Sequence, residues 1–329
     1  MKVFVTGAGG FLGRATVRAV RARGHTILAM HRPSSPSIDA GEGVTPVSGD
    51  LRQGGSWVEA LSDAEAVVHC AAATSGDLPS QLAGSVLATE NLLAALPPGL
   101  KRFVHVSSFS VYDYQSPSRF GRIDERSDLE KRPLRRDAYT QTKLIQEQMV
   151  REWCREAGIE LVVVRPGAIY GPGLDWNFGA ALTAGRFDFI FAPLARMRLV
   201  HVDDCSEALA LAVDAPVSGE RIVNVVADDQ PSHWGFHRLA KRAGAQVGHA
   251  VPVPYAAVRA LGGAAWLASR LFFGGKARLP ELLDSPRQRA RWRHLPSRAD
   301  EAANALGWRS RVSFRDGVEA IAHNKHETR

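Results

Sequence analysis

The sequence predicts an α/β protein: a Rossmann-type doubly wound parallel sheet with a smaller, mostly helical C-terminal substrate lobe. Three observations carry this. Short β-branched runs alternate with longer helical patterns through the first two thirds of the 329 residues, as strand-helix-strand units of a parallel sheet do. A glycine-rich turn, Thr6-Gly7-Ala8-Gly9-Gly10-Phe11-Leu12-Gly13, separates the first strand from the first helix. After Pro166 the alternation breaks into glycine- and proline-punctuated segments, and from Pro231 onward the pattern is helical with loops.

In chain order, strands are expected over Lys2 to Thr6, Thr26 to Met30, Thr45 to Ser48, Ala66 to His69, Arg102 to Ser107, Glu160 to Val164 and Arg221 to Val225. Helices are expected over Leu12 to Arg23, Ser80 to Leu96, Tyr139 to Ala157 and Asp203 to Val213. The strand at Arg221 to Val225 is expected to return to the sheet. This divides the chain into a dinucleotide-binding domain, 1–171 with 198–227 returning to it, and a substrate-binding lobe built from 172–197 and 228–329.

Composition is that of an ordinary globular protein, with 45% hydrophobic and 23% charged residues. Cys70, Cys154 and Cys205 are scattered and form no CxxC, so neither a disulfide framework nor a metal site is expected. The N-terminus passes directly into the glycine-rich turn without an export signal, which points to a cytoplasmic protein. The most apolar later stretch, Tyr255 to Gly275, is interrupted by Arg259 and Arg270, so no membrane span is expected. The net charge of +7 is mostly arginine. Its two clusters, Lys131-Arg132 with Arg135-Arg136 and Arg287, Arg289, Arg291, Arg293, read as solvated basic faces. With no nucleic-acid motif beside them, a small-molecule substrate is the expected partner.

In the glycine-rich turn, Gly7, Gly10 and Gly13 let a pyrophosphate approach backbone amides at a helix N-terminus, next to Phe11 and Leu12. NAD-binding turns place a carboxylate about 20 residues on, for the ribose hydroxyls. Here the second strand ends Ala29-Met30-His31-Arg32. Arg32 suits a 2′-phosphate, so NADP(H) is expected over NAD(H), unless Arg32 is only a solvent-facing loop residue.

Tyr139 and Lys143 stand four apart in a helical pattern and so share a face. A neighbouring ammonium stabilises a phenolate and brings a group with an ordinary pKa near 10 toward acid-base work at neutral pH. A Tyr-x-x-x-Lys is common by chance and by itself also fits a surface pair. Ser107, Ser108 and Ser110 follow the strand at Arg102, where open α/β sheets bind ligands, and each also fits a turn serine.

Together these residues resemble an extended short-chain dehydrogenase/reductase of the NAD-dependent epimerase/dehydratase superfamily, along nearly the whole chain. Gly49-Asp50-Leu51 resembles the family's adenine-contacting turn and His69-Cys70-Ala71-Ala72 its fourth-strand cofactor turn. Arg165-Pro166-Gly167-Ala168-Ile169-Tyr170-Gly171-Pro172-Gly173 resembles the RPGxxYGPG element beside the nicotinamide, and His201-Val202-Asp203-Asp204 the HVDD element. The resemblance implies that Ser108, found by counting back from Tyr112, orients the substrate oxygen, that Tyr139 is the acid/base, and that Lys143 holds the nicotinamide ribose and lowers the tyrosine pKa.

Departures from the family pattern narrow the reaction. Phe109-Ser110 replaces the Asp-Glu pair of the sugar-nucleotide dehydratases, which argues against elimination of water. Ala168 replaces an asparagine and Met197 an arginine of many sugar-nucleotide epimerases, although Arg196 and Arg198 are neighbours able to substitute. The apolar stretch Val251 to Leu282 resembles the β-hydroxysteroid-dehydrogenase and dihydroflavonol-reductase branch. The expected activity is a carbonyl reductase or alcohol dehydrogenase. A nucleotide-sugar epimerase and a non-catalytic NADP(H)-binding regulator are the alternatives, with RNA or membrane association, supported by charge alone, a third reading. Family members often pair through two helices, for which Ser80 to Leu96 and Tyr139 to Ala157 are the candidates in a homodimer, while the sequence itself leaves the oligomeric state open.

Overall fold

The computed structural model describes residues 1–36, 38, 40–116, 121–174, 182–274, 285–293 and 295–327. The chain runs β1 (Lys2–Thr6), α1 (Phe11–Ala22), β2 (Thr26–His31), β3 (Val44–Ser48), α2 (Ser56–Ser62) and β4 (Ala66–His69). A helix in three parts follows: α3 (Leu78–Gln81), a π-helical stretch Leu82–Leu87 and α4 (Ala88–Ala94). Next come β5 (Arg102–Val106), α5 (Ala138–Ala157), β6 (Glu160–Pro166) and β7 (Ala168–Tyr170). The remainder is β8 (Leu182–Ala184), β9 (Phe187–Phe191), β10 (Leu199–His201), α6 (Val202–Asp214), β11 (Glu220–Val225), α7 (His233–Arg242), β12 (His249–Val253), α8 (Tyr255–Phe273), α9 (Ser285–Trp292), α10 (Asp300–Leu306) and α11 (Phe314–Glu327).

Seven strands pair in parallel in the order β11-β6-β5-β4-β1-β2-β3. Successive side chains of a strand point to opposite faces, so β1 sends Val3 and Val5 into one core and Phe4 into the other. The Val3 side packs under α1 and α6 and also takes Ala302, Leu306 and Trp308 from α10 and its end. The Phe4 side is filled by Trp57 and Leu61 of α2, Leu92 and Leu93 of α4, and Val150 and Cys154 of α5. Both faces are covered, which is why the strands read as continuous apolar runs. The strand order turns back between β1 and β4, and ligands of open α/β sheets bind at the carboxyl ends of the strands there.

The fold class holds, with corrections of detail. Helix α2 escaped the sequence reading because it has only seven residues, too few for a period to emerge. The helix expected from Ser80 begins at Leu78, where Asp77 caps it by accepting the Ser80 amide, and it contains a π-helical stretch. The C-terminal region is mostly helical, but its β12 joins β9 and β8 in a three-stranded sheet, β12-β9-β8. β8 and β9 form a local hairpin, while β12 joins β9 across a long stretch of chain, His249 opposite Phe187. Pro252 is tolerated because β12 is an edge strand. Of the apolar stretch Val251 to Leu282, residues 275–282 lie outside the described residues, as do 175–181 of the lobe's first piece.

Candidate active site

At the β1/β4 switch point opens a cleft of about 1350 Å³ that is lined by every residue expected to hold the cofactor or to act in catalysis. It is larger than a typical drug-sized pocket of roughly 300–1,000 Å³ and suits a dinucleotide with a second ligand.

The floor is the glycine turn. Gly7 sits at φ +66°, a left-handed conformation that costs a side-chain-bearing residue, and a Cβ there would stand 2.9 Å from the Ala71 amide nitrogen. A Cβ on Gly13 would lie 2.0 Å from the Gly7 carbonyl oxygen, so α1 packs directly onto the turn. Helix α1 begins after Gly10 with no side-chain cap and no acidic residue in its first turn, which leaves its leading amides to an anion. Phe11, Leu12, Ala71 and Ala72 line the same wall.

Further out, His31 Nδ1 lies 3.1 Å from the Arg32 carbonyl oxygen, and the exposed Arg32 borders the cleft. Asp50 accepts from Arg52 Nε and Nη2, the latter at 2.6 Å, and this bond leads in holding its carboxyl below the usual range. Arg52, which the sequence reading passed over, is therefore a second guanidinium at this end. Leu51 is buried, and its carbonyl accepts from Asn91.

Ser108, Tyr139 and Lys143 come together where β5 ends. Asp137 caps α5 by accepting the Thr140 amide at 2.9 Å, which fixes Tyr139 in the first turn. Ser108 Oγ accepts the Ser110 amide at 3.1 Å, leaving its own hydrogen to donate to Tyr139. Lys143 is buried, and its Nζ donates to the Val106 carbonyl at 2.8 Å. Pro166 and Gly167, at the end of β6, border the same space.

The electrostatics correct the expectation for Tyr139. Burial holds its phenol above the ordinary value, the Ser108 hydrogen bond pulls it part of the way back, and Asp137 raises it again. Lys143 is not among these influences. Its own ammonium is pushed down to about 8 by burial, with Cys70 and Glu147 opposing.

Several positioning residues escaped the sequence reading. Glu147, one turn beyond Lys143 on α5, accepts from Ser107 Oγ and from Arg165 Nε and Nη2. Arg165 lies 4.8 Å over the Tyr112 ring, and the Tyr112 hydroxyl donates to Asn224 at 2.7 Å. This buried chain ties α5 to the ends of β5, β6 and β11. The i+4 and i+8 spacing of Lys143 and Glu147 from Tyr139 was the available signal. On the other side, Gln146 Nε2 donates to Thr89 Oγ1 at 2.7 Å, which also receives His69 Nε2 at 2.9 Å. His69 is pushed down to about 3, first by burial and then by Lys143, and is neutral at physiological pH.

The far end of the cleft is lined by Tyr114, Arg136, Arg196, Met197, Arg198, His233, Arg287, Arg291 and Trp292. The reading of the two basic clusters as solvated faces holds for the exposed Lys131, Arg132, Arg135 and Arg291 and is corrected for Arg136, Arg287, Arg289 and Arg293. Arg136 is 3% exposed, paired with Glu130 at 3.2 Å and donating to the Ser110 and Tyr112 carbonyls. Arg293 donates to the Tyr114 carbonyl at 2.8 Å, and Arg289 to Gln115 Oε1 at 3.0 Å, so this cluster clamps α9 onto the β5 loop. Arg198 lies 4.8 Å over the Tyr114 ring and donates to the Ala290 and Arg293 carbonyls.

Residues 3–226 match the NAD dependent epimerase/dehydratase family. The chain is 30% identical over 337 residues, 98% of its own length and 96% of the relative's, to the 4-hydroxy-2-methyl-3-oxo-4-farnesyl-3,4-dihydroquinoline-1-oxide ketoreductase of Stigmatella aurantiaca. It is 31% identical over 228 residues, 67% of each chain, to the 2-alkyl-3-oxoalkanoate reductase of Stenotrophomonas maltophilia (strain K279a). Its fold matches the structure of MoeE5 in complex with UDP-glucuronic acid and NAD at a TM-score of 0.74, with 22% identity over all of both chains. The chain belongs to the NAD dependent epimerase/dehydratase family, as an NAD(P)-dependent oxidoreductase of the extended short-chain type.

Proposed function

We propose that the protein is an NADP(H)-dependent carbonyl reductase or alcohol dehydrogenase that works through Ser108, Tyr139 and Lys143. The observation that carries this reading is the convergence of a serine hydroxyl, a phenol and a buried ammonium on the cleft floored by Gly7 to Gly13. The dinucleotide would be held by the Gly7, Gly10 and Gly13 turn with Phe11 and Leu12, by Asp50 and Leu51, by Ala71 and Ala72, and by Pro166 and Gly167. A cradle that a Cβ would fill, facing uncapped helix amides, fits a pyrophosphate. Arg32 and His31 border the end where a 2′-phosphate would lie, which supports NADP(H) over NAD(H).

Held there, the cofactor would supply a hydride for the carbonyl carbon. Tyr139 gives its phenolic proton to the carbonyl oxygen, and the Ser108 hydroxyl donates to the same oxygen. With one ammonium hydrogen committed to Val106, Lys143 keeps two for the ribose hydroxyls. Oxidation of an alcohol runs these steps in reverse. Residues 172–197 and 228–329 would form the substrate lobe, since Leu174, Arg196, Met197, His233 and the Arg287 to Trp292 segment line the far end. Exposed Leu87, Ile145 and Trp153, on the two helices expected to pair, support a homodimer through that face.

Two relatives named as a ketoreductase and an oxoalkanoate reductase support a ketone substrate. Arg196 and Arg198 at the far end favour, as the second reading, a nucleotide-sugar epimerase. Measuring NADPH oxidation against a panel of ketones and 3-oxo acids, beside epimerisation of UDP-sugars, separates the two. Ketone-dependent oxidation is expected. UDP-sugar epimerisation without ketone turnover would replace this reading, and cofactor binding without turnover of either would leave a non-catalytic binder.

A further inference from the structure

Helix α8 presents apolar side chains to the outside of the protein. Of its 19 residues only Val258, Gly262 and Ser269 are buried, and at about 100° per residue these fall on one narrow stripe. On the outward side Leu261 is 59% exposed, Leu267 50%, Leu271 69% and Phe272 77%. The helix carries no acidic residue, and its only charges are Arg259 and Arg270. Eleven positions apart, these arginines share one edge of the helix about 16 Å from each other. Between them on that edge stands Trp266, 54% exposed, with the Arg270 guanidinium 5.5 Å over its ring.

We propose that α8 docks the protein on the surface of an anionic lipid bilayer, its leucine and phenylalanine face in the headgroup region and its arginine edge against lipid phosphates. A contiguous apolar face flanked by basic residues and a tryptophan is the pattern of a helix that lies in a membrane interface. Among the described residues no helix is long and apolar enough to cross a membrane, so the contact is peripheral. Charge selects the occupant. A second copy of the helix would bring arginine against arginine with no carboxylate of α8 to pair them, whereas anionic lipid complements both this edge and the net charge of +7. Val258 of α8 packs in one apolar cluster with Trp292 of α9, which lines the far end of the cleft. Docking would hold that end beside the bilayer, where an amphiphilic substrate partitions. The surface lies apart from Ser108, Tyr139 and Lys143, so it stands or falls independently of the reaction assigned to them.

The test mixes the full-length protein with sedimenting vesicles of phosphatidylcholine, alone or with phosphatidylglycerol. Retention is expected on the anionic vesicles, with quenching of tryptophan fluorescence by bromolipid in the unaltered protein. The double substitution Leu267→Glu, Leu271→Glu is expected to weaken retention at least about tenfold with an unchanged circular dichroism spectrum and melting temperature. Arg259→Gln with Arg270→Gln is expected to weaken it several-fold, on the anionic vesicles only. The proposal is overturned if the unaltered protein is neither retained nor quenched, if both vesicle types retain it equally, or if light scattering shows a dimer that the leucine substitutions convert to monomer.

Discussion

The two ends of the cleft are built from different materials. At the nucleotide end the wall combines the glycine turn of Gly7 to Gly13 with short segments at the ends of neighbouring strands, and the amides of a helix terminus stand open to an anion. At the far end it is long side chains, Tyr114, Arg136, Arg198 and Trp292, from segments more than 170 positions apart and held by buried ion pairs, cation-π contacts and bonds to carbonyls. A backbone cradle tolerates almost no added volume but is indifferent to distant substitutions. A side-chain wall tolerates volume changes and depends on each partner. Between the two lie Ser108, Tyr139 and Lys143, which take their positions from both.

This contrast can be broken or sharpened by substitution. The largest effect is expected at the junction: Tyr139→Phe should lower kcat by about 10²–10⁴-fold while the dissociation constant for NADPH, measured by fluorescence titration, stays within about twofold. Near-normal turnover would remove Tyr139 from the chemistry. Next comes Glu147→Gln, which leaves the 2%-exposed Arg165 without its carboxylate. A loss of about 3–5 kcal/mol in urea unfolding is expected, and a change below about 1 kcal/mol would show that the buried chain does not hold the site. Third, Gly13→Ala should destabilise by about 1–3 kcal/mol and weaken cofactor binding, because its methyl meets the Gly7 carbonyl. Full stability with intact binding would show that the cradle yields after all.

Smaller effects are expected at the rim. Arg32→Asp should shift the ratio of kcat/KM for NADPH over NADH toward NADH by roughly 10–100-fold, the worth of a charged hydrogen bond. An unchanged ratio would assign the 2′ end elsewhere, with Arg52 the next candidate. Smallest is a pH effect at Lys143, whose folded-state value is lowered to about 8. The ammonium is charged below that value and neutral above it, so kcat/KM for reduction should fall as pH rises through about 8. A guanidinium keeps its proton there, so Lys143→Arg should move this limb upward, and an identical profile would detach it from Lys143.

How much was legible in the sequence follows the same division. The glycine turn, Arg32, Asp50, Ala71 and Gly167 could be picked out because their signals are local: a turn needing glycine, a strand end, a motif. Tyr139 and Lys143 were legible as a helical i,i+4 pair, and Ser108 from its distance to Tyr112. The environment of Tyr139 was not, because burial rather than the neighbouring ammonium dominates its phenol. Arg136 read as a solvated charge because nothing nearby in sequence reveals that Glu130 and two carbonyls enclose it. Likewise the small sheet of the lobe depends on β9 finding β12 far along the chain.

The sequence by itself determined the parallel sheet, the place of the glycine turn and the residue types able to move a proton, because periodicity, glycine geometry and helix spacing act over a few residues. Only the tertiary structure decided which arginines face solvent and which wall the cleft, what holds Tyr139 and Lys143 in place, and how burial sets their protonation. Desolvation and long-range pairing depend on the whole packed chain, so no local pattern encodes them.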